Sequence, residues 1–84
     1  MRYNPKFIEF PFEVFVPFEN EDIFQGRITL TESLGKFHAE VDIVFIEGQK
    51  IYHHVKSLFD RREMDELIDE AMQDLSNFVS PKKS

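Results

Sequence analysis

The stretch Phe37-His38-Ala39-Glu40-Val41-Asp42-Ile43-Val44-Phe45-Ile46 decides the fold, because two rows of side chains alternate along it. Phe37, Ala39, Val41, Ile43 and Phe45 form a wholly apolar row, which is the period-two signature of a strand with one buried face. The other row is polar at His38, Glu40 and Asp42 and then turns apolar at Val44 and Ile46. Burying a single sheet face does not call for those last two residues.

The same period extends to both sides. Four strands are predicted, over about 7–18, 23–31, 36–46 and 50–57, all rich in Phe, Val and Ile. In the first, Phe10, Phe12, Val14, Val16 and Phe18 share a face, against Glu9, Pro11, Glu13, Phe15 and Pro17 on the other. In the second, Phe24, Ile28 and Leu30 alternate with Gln25, Arg27, Thr29 and Thr31. The connections Glu19-Asn20-Glu21-Asp22, Glu32-Ser33-Leu34-Gly35 and Glu47-Gly48-Gln49 are short, so neighbouring strands form antiparallel hairpins. Pro11 and Pro17 lack donors on one side of the first strand, which makes it an edge and the order 1-2-3-4.

Register follows from parity, since a one-residue slip exposes a buried row. Pairing Leu30 with Phe37 puts Ile28 beside Ala39, Phe24 beside Ile43, Arg27 opposite Glu40 and Ile23 opposite Val44. A three-residue last connection, with Gly48 in a left-handed bulge, keeps Ile51 and Val55 on the face of Val41 and Ile43. It also sets Glu40 opposite Lys56 or His54, turns His53 toward the helix and places Asp42 close to His54.

Beyond residue 60 the period lengthens. Met64, Leu67, Ile68, Ala71, Met72, Leu75, Phe78 and Val79 recur at the spacing of one helix face, which predicts a helix over about 61–79. Asp60 is the expected N-cap with Glu63 completing a capping box, Ser80-Pro81 the expected stop, and 80–84 a tail. The expected architecture is a single α+β domain. It is a four-stranded antiparallel meander with one C-terminal amphipathic helix packed over Phe10, Phe12, Ile28, Val41 and Ile43.

Composition narrows the function classes. The 84 residues contain no Cys, which removes disulfides, thiolate nucleophiles and Cys-based metal sites. The longest run without Asp, Glu, Lys or Arg is seven residues, from Leu75 to Pro81, against about 20 for a membrane helix. A soluble, cytoplasmic chain without a membrane partner is therefore expected. The net charge is −6 and its excess lies in the helix, whose outer side carries Glu63, Asp65, Glu66, Asp69, Glu70 and Asp74. That sign repels phosphate backbones, so nucleic acid is not an expected partner. Gly occurs only at 26, 35 and 48, which leaves no phosphate-cradling loop, and no Ser sits in a strand-to-helix elbow.

Three functional readings follow. The first is a non-enzymatic protein-binding module with no cofactor, contacting itself as a homodimer or another protein through an apolar corner of the outer sheet face. Phe15, Ile23, Val44, Ile46 and Tyr52 form that corner, unless residues 1–6 cover it. The second is an acidic inhibitor that imitates nucleic acid toward a basic target through Glu66, Asp69, Glu70 and Asp74. The third is a metal or acid–base site built from His54, Asp42 and Glu40. His53 and His54 cannot converge on one ion, because adjacent strand residues point to opposite faces.

Overall fold

Residues 8–79 are described by the computed structural model. The expected tail 80–84, the Ser80-Pro81 stop, residues 1–6 and the first residue of the predicted first strand lie outside the described residues. Four strands, β1 (Phe12–Pro17), β2 (Phe24–Ser33), β3 (Lys36–Phe45) and β4 (Ile51–Arg61), are followed by the helix α1 (Met64–Val79). They form one antiparallel sheet in the order β1-β2-β3-β4, as the alternation and the two prolines predict.

The core is the layer between the sheet and α1. Ile28, Leu30, Phe37, Ala39, Val41, Ile43 and Leu58 from the sheet meet Met64, Leu67, Ile68, Ala71 and Leu75 from the helix. The helix lies mainly over β3 and β4 and touches β2 less. Hence the β1 row of Phe12, Val14 and Val16 is only half-buried at the core margin, and Phe10 leans on Phe37 with ring centroids 6.0 Å apart. Gly26 lets the helix approach this closely. A Cβ there would lie 2.7 Å from Leu75 Cδ1 and 3.1 Å from Leu75 Cδ2.

The β2–β3 register differs from the expected one by two residues. Leu30 pairs with Ala39, Ile28 with Val41, Gly26 with Ile43 and Phe24 with Phe45, so Arg27 faces Asp42 instead of Glu40. The cause is the turn. Ser33 pairs with Lys36 around a two-residue loop, with Leu34 at φ 54° and Gly35 at φ 77°. Two positive φ values give the primed turn whose twist matches the flanking strands. A shift of two preserves parity, so every β2 and β3 side chain keeps its expected face.

Parity does not survive in β4. The pairs Val44–Ile51, Ile43–His53, Asp42–His54, Val41–Lys56, Ala39–Leu58 and Phe37–Arg61 require three register shifts, each adding a residue on the β4 side. Each extra residue resets which face the following side chains take. Ile51 therefore joins Val44 on the outer face, against expectation, while Val55 still packs against the core. Lys56 faces the helix, its Nζ 4.0 Å from Asp74 Oδ1. The register partner of Glu40 is Ser57, not Lys56 or His54, although His54 Nε2 lies 3.6 Å from Glu40 Oε1. Gly48 is left-handed at φ 82°, as expected, but Gln49 at φ 57° shares the turn.

The last irregularity also moves the helix start. Asp60 is not the N-cap; it belongs to β4 at φ 61°, where its backbone N–H donates to His38 Nδ1 at 3.2 Å. Short polar side chains tolerate that left-handed conformation. Glu63 takes the N-cap position instead, its carbonyl accepting from Leu67 N–H at 3.1 Å, and Asp65 and Glu66 place negative charge at the positive end of the helix dipole in the first turn.

Arg61 ties the end of β4 to α1. Its Nε–H and Nη2–H donate to Glu70 Oε1 and Oε2, both at 3.0 Å, and its Nη1–H donates to the Phe59 carbonyl. The hydrogen bonds from Arg61 hold the Glu70 carboxyl below its ordinary range, and those to Glu70 hold the Arg61 guanidinium above its own. A depressed carboxyl stabilises the fold above its unfolded pKa, and that contribution is lost as pH falls through the lower folded value. The melting-temperature gap between wild type and Glu70→Gln is therefore expected to be full at neutral pH and to close below the ordinary carboxylate range. A gap that persists unchanged in acid would assign the loss to packing instead.

Candidate functional site: the uncovered sheet face

The face of the sheet away from α1 is organised in rows by the register. Phe15, Arg27, Asp42 and His54 form one row; Pro17, Gln25, Val44 and Ile51 form the next. Beyond it, Ile46 N–H donates to the Ile23 carbonyl at 2.8 Å, placing these two isoleucines side by side. A polar half therefore adjoins an apolar half.

Asp42 organises the polar half, and it is the one buried charged residue among those described, 4% exposed. His54 Nδ1 lies 2.7 Å from Asp42 Oδ1, and Arg27 Nη2 lies 3.8 Å from Asp42 Oδ2. Glu13 Oε2 sits 3.8 Å from Arg27 Nη1. On the other side, His54 Nε2 is 3.0 Å from Ser57 Oγ, and the Ser57 hydroxyl donates to Glu40 Oε1 at 2.6 Å. Alternation alone brings Asp42 and His54 together; Ser57 is added because a bulge turns it out beside Glu40.

An Asp–His–Ser sequence of contacts has the order of a nucleophile relay, and the Ser57 hydroxyl donates to Glu40 Oε1. The Glu40 carboxylate beside Ser57 opposes an oxyanion forming there. The cluster is a cross-strand network in which His54 bridges Asp42 and Ser57. Among the described residues, no group of three or more His, Asp or Glu is placed to hold a metal ion.

The apolar half differs in membership from the corner expected on sequence. Ile23, Ile46 and Ile51 are 57%, 42% and 55% exposed, whereas Val44 between them is fully buried and separate from the main core cluster. Ile51 belongs here because of the bulge near Tyr52. Tyr52 does not: it lies on the helix side, its ring 4.4 Å from Phe24 and 5.7 Å from Phe45 by centroids. Phe15 is exposed but lies in the polar row, two strands from Val44. His53 turns toward the helix as expected and stacks on Phe78 at 4.8 Å.

The four carboxylates of the second reading are also unequal. Glu70 is held by Arg61 and Asp74 lies near Lys56, which leaves Glu66 and Asp69 outward and exposed. Two of those four therefore face a cation on β4.

The fold and this face define a small sheet-and-helix protein with one sheet face left open by the described elements. No protein-family model, curated protein or solved structure matches the chain. No helix among the described residues is long and apolar enough to cross a membrane.

Proposed function

We propose that this chain is a protein-binding module whose working surface is the isoleucine corner of the open sheet face. One observation carries the reading: Ile23, Ile46 and Ile51, all roughly half-exposed, surround the buried Val44 in adjacent register positions. Apolar side chains clustered beside a polar, ion-paired border have the composition of an interface centre and rim. Asp22 and Glu47 flank the corner, and two copies of a chain of net charge −6 would meet acid to acid there. A different protein with a basic rim fits better than a second copy. The acidic helix face is the weaker alternative, because Glu70 and Asp74 already face cations.

The absence of cysteine makes the test clean. Single-cysteine variants at Ile46 and, as a control on the same sheet face, at Thr31 are loaded with a photo-crosslinker and irradiated in cells of the source. A discrete adduct larger than a dimer of this chain is expected from position 46 and not from 31, and Ile51→Glu should abolish it. Equal adducts from both positions, or an adduct twice the mass of the chain, would overturn the reading of a heterologous partner at this corner.

A further inference from the structure

We infer that the groove at the turn end of this corner receives an arginine side chain of the partner. The inference rests on the protein-binding reading just given and names the chemistry recognised. The groove has a volume of about 460 Å³ and is lined by Asp22, Ile23, Phe45, Ile46 and Glu47. That size lies within the range of about 300–1,000 Å³ typical of ligand sites.

The lining dictates the occupant. Ile23, Phe45 and Ile46 supply the apolar part of the lining, and three backbone N–H groups beside it are already used. Ile23 N–H donates to Glu21 Oε2 at 3.0 Å, Phe45 N–H to the Lys50 carbonyl at 2.9 Å, and Ile46 N–H to the Ile23 carbonyl at 2.8 Å. Unused hydrogen-bonding capacity is left on the Asp22 and Glu47 carboxylates, which no cation pairs among the described residues. Ionised carboxylates only accept, so the ligand has to donate. An anion is repelled, and a purely apolar residue leaves both carboxylates facing a desolvated contact. Arginine meets both requirements: its methylene stem covers apolar surface while its planar, multi-donor guanidinium reaches carboxylates on two sides. Lysine offers the stem but only a point charge, which bridges two separated carboxylates less well.

The test is an NMR titration of the full chain with the peptide acetyl-Leu-Arg-Leu-amide and with its citrulline counterpart, which keeps the shape and loses the charge. Saturable amide shifts at Asp22, Ile23, Ile46 and Glu47 are expected with the arginine peptide. Citrulline is expected to bind about tenfold more weakly, as is the arginine peptide toward the double variant Asp22→Asn, Glu47→Gln. Both substituted residues are exposed, so the amide spectrum itself reports that the variant stays folded. Equal affinity for the two peptides, or shifts centred on Glu66 and Asp69, would overturn the arginine assignment while the crosslinking result at Ile46 still judges the corner. Absence of any saturable shift in the groove would overturn it as well.

Discussion

Asp42→Ala is expected to cost about 3 kcal/mol of stability and lower the melting temperature by roughly 12–24 °C at about 4–8 °C per kcal/mol. Asp42 is buried, with Arg27 on one side and His54 on the other. Removing one member of a buried pair costs about 3–5 kcal/mol, mostly because the other charge remains without compensation. Arg27 is the charge left behind, with only the more exposed Glu13 still beside it. The Arg27 side chain is largely covered, and its Nε is buried without a hydrogen-bond partner. The half-exposed His54 finds water when Asp42 is gone, which brings the expected cost to the low end of that range. Thermal unfolding of Asp42→Ala beside Arg27→Ala and the double variant gives the coupling directly. A loss below about 1 kcal/mol, the value of an ordinary exposed pair, would show that the network is solvated and does not hold the open face in shape.

Leu67→Ala is expected to cost more in proportion to its size, about 2–5 kcal/mol. Leu67 is fully buried where α1 meets the sheet. An 84-residue chain at about 0.05–0.15 kcal/mol per residue has only about 4–13 kcal/mol in total, so one cavity removes a large share. Met72 on the same helix is 40% exposed, and Met72→Ala should cost under about 1 kcal/mol. Urea midpoints at unchanged slope separate the two variants. Equal losses at both positions would mean that the helix is rotated from the packing described.

The two effects lie at different depths of legibility. Leu67 declares itself in the sequence, because the helical spacing of Met64, Leu67, Ile68, Ala71 and Leu75 names the buried stripe without any partner. Asp42 is half-legible: alternation puts it beside His54, but its burial and its pairing with Arg27 follow from the two-residue turn at Leu34-Gly35. Ser57 beside Glu40, Ile51 beside Val44 and Tyr52 on the helix side were not legible, since each depends on extra residues in β4. The one available signal was Gly48, which marks a left-handed turn position but does not locate the later bulges.

Strand number, the meander order, the faces of β2 and β3 and the apolar stripe of α1 were determined by the amino-acid sequence alone. These depend on how each residue partitions between water and a buried layer, and that preference repeats with the period of its own element. Only the tertiary structure decided the face of each β4 residue, the helix cap at Glu63, the Arg61–Glu70 tie and the composition of the isoleucine corner. A slip of two residues leaves alternation unchanged and a bulge costs little, so such features are set by which neighbour a strand meets and not by its own pattern.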